Sequence, residues 1–180
     1  TVMFLTLWNS YHKEDDNYLK FKTPSNKTIE PNGYISCYGS VPLNGILEGE
    51  DVYLNIINKA INYVYITTPY LIIDTDMINA LILAVKRGVD VKIIIPGIPD
   101  KKIVYELTNS YAKNLVENGV KVYTYTPGFI HSKIFVSDDN KATVGTINLD
   151  YRSLYLHFEN GVYLEDVNEI KDIHNDVKEI

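Results

Sequence analysis

In the run Phe129-Ile-His131-Ser-Lys133-Ile-Phe-Val-Ser-Asp138, an imidazole and an ammonium group stand two residues apart. On a β-strand that spacing puts His131 and Lys133 on one face, with Ile134 and Val136 turned to the opposite layer. A second strand-like run, Ala142–Ile147, follows across Asp138-Asp139-Asn140-Lys141, which reads as a hairpin turn. A turn centred on Asp139-Asn140 sets Asn148 opposite His131 and Thr146 opposite Lys133, with Cβ atoms ~5 Å apart in each pair. Such a cluster suits a phosphate. Lys133 brings a point charge, Asn148 and Thr146 bring neutral donors, and His131 brings a nitrogen able to attack phosphorus or move a proton. Taken alone, the His-Lys pair is equally a hairpin with one polar face; the spaced aspartate and the cross-strand asparagine narrow that alternative.

The surrounding pattern supplies the elements that hold this cluster. Ile35–Tyr38 reads as a first strand and Val52–Asn62 as a helix with Tyr53, Ile56, Ile57, Ala60 and Ile61 on one face. Val64–Thr67 is a β-branched strand, and Asp74–Arg87 a helix with Asp74 as N-cap and Gly88 as its stop. Val89–Ile95 is a strand, Lys102–Asn118 a helix presenting Val104, Leu107, Tyr111 and Leu115, and Val120–Thr126 another strand. The His131–Val136 and Ala142–Ile147 hairpin comes next, then a strand over Leu156–Leu164. A last amphipathic helix uses Val167, Ile170, Ile173 and Val177. Strands alternating with helices and then a hairpin predict an α/β fold with a mixed sheet.

The chain has 180 residues, 46% hydrophobic and 22% charged, which excludes a disordered chain. The formal charge of −6 argues against a general nucleic-acid binder, which must displace counterions with a positive face. No His, Cys and carboxylate spacing suggests a metal site, and Asp74-Thr-Asp76 reads as helix capping. The longest apolar run, Met77–Val85, is far short of the ~20 residues that span a bilayer, so a soluble domain is expected. The chain opens on Thr1 without an initiator methionine. Val2, Leu5 and Trp8 sit at helical spacing, and Tyr11–Asn32 is polar and carries Pro24 and Pro31. We expect an excised piece that starts with the end of an upstream helix and a linker, and becomes a domain near Gly33.

His131-x-Lys133-x4-Asp138, Gly145-Thr-Ile-Asn148 and Asp150-Tyr-Arg152-Ser153 together resemble the HKD motif of the phospholipase D superfamily. The flanking Tyr65-Ile-Thr-Thr-Pro-Tyr70, Gly88–Pro96, Tyr125-Thr-Pro-Gly-Phe129 and Phe158-Glu159 are similar to the cardiolipin synthase branch. The likeness runs over roughly residues 34 to 165 and is most specific from 127 to 159. It implies a phospholipase D-like mixed β-sheet flanked by helices on both faces. Residues 34–180 would be the second, C-terminal HKD half, and residues 1–33 the end of the upstream half with a linker. It implies a phosphatidyltransferase that joins two phosphatidylglycerols into cardiolipin and glycerol, with no metal or other cofactor. His131 would be the phosphohistidine-forming nucleophile or the general acid. Lys133 and Asn148 would bind the phosphoryl oxygens, with Thr146 as an accessory donor. Glu159 would hold and polarise a histidine of the site, and Asp138, the last residue of the catalytic motif, is expected to act structurally at the turn. Three positions depart from the family pattern: Thr146 where serine is commoner, His157 in place of asparagine, and Tyr70 without its customary following proline.

Diester transfer through a phosphohistidine needs two proton-competent groups, and His131 can be only one of them. His12 lies in the polar linker and His174 in the terminal helix, where it is expected to be exposed. His157 shares a strand face with Glu159 and is a candidate pocket residue, as is Tyr70 at a strand end. Arg152, one of two arginines, either clamps a phosphate or pairs with an acidic neighbour. The second histidine is therefore expected from the upstream half or from a second copy in a homodimer, with membrane attachment supplied by the parent protein. No nucleic-acid partner is expected. The rivals are another phospholipase D-type phosphodiesterase, acting on lipid or nucleic acid, and a catalytically silent phosphate- or headgroup-binding module.

Overall fold

A computed structural model of the chain describes residues 2–12, 17–22, 32–42 and 45–180. The chain divides into two units, residues 1–31 and 32–180, each described here by itself. In the first, α1 (Val2–Tyr11) is followed by a turn of 3₁₀ helix at Tyr18–Phe21, capped by the Asn17 side chain. His12 is exposed and stacks on Trp8, with ring centroids 3.9 Å apart. Most of the expected linker, including both prolines, lies outside the described residues.

The second unit is built on a seven-stranded sheet in the order β1-β9-β7-β6-β2-β4-β5. Its strands are β1 (Tyr34–Ser40), β2 (Tyr63–Thr67), β4 (Asp90–Pro96), β5 (Lys121–Tyr125), β6 (Ile134–Ser137), β7 (Lys141–Gly145) and β9 (Glu159–Glu165). β2, β4 and β5 run parallel, and the β1-β9-β7-β6-β2 side is antiparallel. Two short strands, β3 (Leu71–Ile72) and β8 (Leu149–Asp150), pair in parallel beside it. The helices are α2 (Glu48–Lys59), α3 (Thr75–Lys86), α4 (Lys102–Glu117), α5 (Tyr151–Tyr155) and α6 (Glu169–Glu179).

Strand alternation sorts the core into two layers. Phe135 packs on one side, stacked on Tyr53 of α2 at 4.0 Å, in a cluster that takes in α2, α3 and α4. Val136 packs on the other with Ala142, Leu164, Ile170 and Val177, beneath α6. Helices therefore cover both faces. Asp74 caps α3 as its sequence position predicts, accepting from the Met77 amide at 2.9 Å, and Gly88 turns the chain at φ 92°.

Three expectations are corrected. The buried side of α4 is Thr108, Ala112 and Leu115, while Leu107 is 45% exposed, because the helix is rotated to seat its small residues against the sheet. His174 is buried, not exposed: it stacks on Tyr63, and its Nδ1 lies 2.7 Å from Asp139 Oδ1 and 3.0 Å from the Tyr63 hydroxyl. The hairpin is also one residue out of the expected register. Ser137 pairs with Lys141 and Ile134 with Val144, so Asp138, Asp139 and Asn140 form a three-residue loop. Asp138 and Asp139 both take left-handed conformations, at φ 53° and 54°, which aspartate tolerates better than most residues. The Asp138 carboxylate holds that turn by accepting from the amides of Ile61, Asn62 and Tyr63 at 2.7 to 2.9 Å.

Candidate active site

The sheet brings several strand ends to one edge. β2 ends at Thr67 opposite Ile134, where β6 begins; β4 ends at Pro96; β7 ends at Gly145; and β9 begins at Glu159. In open α/β sheets the crevice beyond the carboxyl ends of parallel strands is where ligands bind. His131 and Lys133 lie just before β6, in extended chain outside the ladder, and Thr146 and Asn148 lie just past β7. With the observed register Lys133 faces Gly145, whose amide donates to the Lys133 carbonyl at 3.3 Å, so the predicted cross-strand pairs do not form. The residues converge nonetheless, because the chain leaves the β6 ladder after Gly145 and Thr146 bonds to Asn160 instead. The result is an open cleft of about 410 Å³ with His131, Lys133, Thr146 and Asn148 in its walls.

Lys133 is 8% exposed. Its ammonium donates to the His131 carbonyl at 2.6 Å and to His131 Nδ1 at 3.0 Å. An ammonium can only donate, so with Lys133 charged this contact keeps the lone pair on Nδ1 and the proton on Nε2. Burial and the neighbouring Lys133 charge hold the imidazole below its usual 6.5. Burial likewise lowers Lys133, opposed by the carboxylates of Glu159 and Asp150. Each shift favours the less charged form of a crowded pair of basic groups. Phe129 stacks on His131 at 5.9 Å, and the Ser132 hydroxyl donates to Thr67 at 2.8 Å, tying the segment to the end of β2.

Thr146 donates its hydroxyl to Glu159 Oε2, and the Asn160 amide donates to the Thr146 hydroxyl oxygen at 3.0 Å. Glu159 is 8% exposed, and its second oxygen lies 3.3 Å from His157 Nδ1. Its side-chain bonds thus go to Thr146 and His157. Asn148 donates from Nδ2 to the Ser153 hydroxyl at 2.8 Å. Ser153 is fixed in turn by its own amide, which donates to Asp150 at 2.9 Å.

The remaining candidates fall into three places. Asp138 sits at the far end of β6, committed to backbone amides, and is not brought to the cleft. Tyr70 donates to Asp100 at 2.6 Å and meets Phe129 ring to ring at 6.3 Å, which puts it beside the histidine's aromatic support without lining the cleft. Arg152 is exposed on α5 and does not line the cleft either. Ser153, Phe129 and Ser132 are the supporting residues that spacing did not assign. Ser153 and Phe129 do stand in runs that carry the family resemblance, and the order Asp150-x-x-Ser153 is also a helix-capping signal. Among the described residues, no group of three or more His, Cys, Asp or Glu is placed to hold a metal ion. No helix of the described residues is long and apolar enough to cross a membrane.

Residues 53–180 match the family described as "Cardiolipin synthase, PLD-like domain". A Streptococcus mutans protein described only as uncharacterized is 50% identical over 179 residues, 99% of this chain and 39% of its own length. Cardiolipin synthase 1 of Staphylococcus aureus is 40% identical, with 96% of this chain and 35% of the synthase covered. The chain thus spans well under half of these relatives. Among solved structures, the phospholipase D family member Nuc of Salmonella typhimurium superposes with a TM-score of 0.66 at 20% identity, covering 81% of this chain and 93% of Nuc.

Proposed function

Because the chain belongs to the phospholipase D-like domain family of cardiolipin synthases, we propose that it supplies the C-terminal half of a phosphatidyl-transfer site. The observation that carries the reading is the cleft itself: His131 against Lys133 at 3.0 Å, with Asn148 and Thr146 beside them, at the sheet edge where the strand ends collect. In the proposed reaction the phosphodiester of one phosphatidylglycerol displaces Lys133 from His131, and Lys133 and Asn148 take its oxygens, while the Thr146 hydroxyl stays bonded to Glu159. A histidine nitrogen attacks phosphorus and forms a P–N bond as the P–O bond to the terminal glycerol breaks. The leaving alkoxide takes its proton from a second histidine. The hydroxyl of another phosphatidylglycerol then attacks phosphorus, returns its proton to that second histidine, and the P–N bond breaks to give cardiolipin.

His131 serves as one of these histidines. Of the other two histidines in the second unit, His174 is buried against Asp139 and His157 is engaged by Glu159. The site is therefore half of a whole, completed by an upstream domain of the parent protein or by a second copy of this one. The membrane is the expected workplace of the parent, since both substrates are lipids.

The test is turnover of phosphatidylglycerol vesicles by the full-length protein, with His131→Ala as the control. We expect cardiolipin and glycerol from the wild type and a loss of at least ~10³ in rate from the variant. Near-wild-type turnover in His131→Ala would sink the assignment. Hydrolysis to phosphatidate, or cleavage of DNA in place of lipid, would identify another phospholipase D-type phosphodiesterase. Phosphate binding lost with Lys133, and no turnover at all, would identify a silent binding module.

A further inference from the structure

Asn148 can serve an anion only through its nitrogen. A carboxamide has a donor end and an acceptor end of nearly the same shape, and a phosphoryl oxygen accepts from the first and is repelled by the second. Asn148 precedes β8 in the turn beyond β7, so the ladder does not orient its side chain. The observed bonds leave one constraint on the carboxamide: Nδ2 donates to Ser153 Oγ at 2.8 Å. Its Oδ1 is buried and has no hydrogen-bond partner, so nothing holds the group by its acceptor end.

Ser153 is well placed to impose that constraint. It is 1% exposed, and its amide is tied to the Asp150 carboxylate at 2.9 Å on the first turn of α5. The backbone of Ser153 is therefore fixed, and its buried hydroxyl oxygen accepts from Asn148 Nδ2. That oxygen occupies one N–H of the amide and leaves the other N–H of the same nitrogen for a ligand, at a residue that lines the cleft. We propose that Ser153 is a positioning residue, which sets the Asn148 carboxamide so that its nitrogen serves the phosphoryl group. Ser153 does not itself touch substrate. The inference rests on the functional reading above as far as the lipid is concerned, but only on a phosphate ligand as far as Ser153 is concerned.

The experiment is a double-mutant cycle in the full-length protein, with kcat and KM for phosphatidylglycerol measured in S153A, S153T, N148A and the S153A/N148A pair. Misplacing one phosphate ligand should cost about 10- to 100-fold in kcat/KM for S153A. S153T, which keeps the hydroxyl, should recover most of it, and S153A should cost less than about twofold once Asn148 is gone. Full activity in S153A, or losses that multiply in the pair, would overturn the proposal. A second measurement needs no mutation: the two Asn148 side-chain amide protons are followed by NMR as inorganic phosphate is added. One proton, held by Ser153, should stay nearly still while the other moves; equal shifts would count against Ser153 whatever the kinetics. If the wild type binds phosphate with unequal shifts but does not turn over phosphatidylglycerol, the lipid reading fails and the positioning role stands.

Discussion

At the scale of single residues, the proposed chemistry and its pH dependence turn on the His131–Lys133 pair. Burial first, and then the adjacent ammonium, lower the imidazole, so neutral His131 persists further into acid than a free histidine does. With His131 as the attacking histidine its neutral form is required, so the acid limb of turnover should lie below pH 6.5; with His131 as the general acid the same lowered pKa would instead set the basic limb. Replacing Lys133 with methionine removes a lowering charge and should move the His131 pKa upward, which NMR titration of its ring protons reads directly. No change, or a downward shift, would show that the ammonium does not bear on the ring. Asp138 belongs to the same motif by spacing but does a different job. Its carboxylate accepts from three consecutive amides at the start of β2. Asp138→Ala should lower unfolding stability by about 1–3 kcal/mol in urea titrations, while phosphate-induced shifts of His131 stay as in the wild type.

At the scale of elements, the β6–β7 hairpin decides which groups can meet. Its three-residue loop shifts the pairing by one residue from a two-residue turn, and in a strand one residue exchanges the two faces. The site survives because its residues lie just off the paired segments, where pleat alternation no longer dictates direction. Gly145 marks the point of departure. A Cβ there would come within 2.4 Å of the Asn160 carbonyl oxygen and 2.7 Å of the Gly161 Cα, both backbone atoms of β9 that cannot swing away. Gly145→Ala should therefore destabilise the domain by about 1–3 kcal/mol, and it should weaken phosphate binding as well, since β7 and β9 carry Thr146 and Glu159. A variant as stable as the wild type in thermal unfolding would show that the two strands have room to part. At the other end of the same hairpin, Asp139, Tyr63 and buried His174 join the turn to α6. That cluster anchors the helix covering the second face of the sheet, at the opposite end of β6 from the cleft.

At the scale of the whole molecule, the proposed half-site would make assembly the controlling variable. The chain spans 35–39% of the length of the S. aureus and S. mutans relatives, which leaves room in such proteins for a second domain bearing the partner histidine. The chain alone should show no phosphatidylglycerol turnover above the His131→Ala background if the upstream domain is required. A specific rate that climbs with protein concentration would mean instead that two copies build the site between them. Turnover by a monomer, independent of concentration, would overturn the half-site reading and point to His157 as the second proton carrier within this chain.

Composition, periodicity and motif spacing were enough to determine the α/β class and the capping of α3 and to name the residue types proposed for a phosphate site, because each depends on neighbours within a few positions along the chain. The spacing of His131 and Lys133 already put them together, and the motif beyond β7 already contained Thr146 and Asn148. Other features were set only by contacts between distant segments. The hairpin register was decided by Asp138 gripping amides some 75 residues away. The buried side of α4 was decided by what the sheet could accept, and the burial of His174 by Tyr63 and Asp139. Asn148 and Ser153 stand only five residues apart, but the path between them runs through β8, which pairs with distant β3. Local pattern names the groups that can do chemistry, but the direction each side chain takes is settled by partners that sequence distance hides.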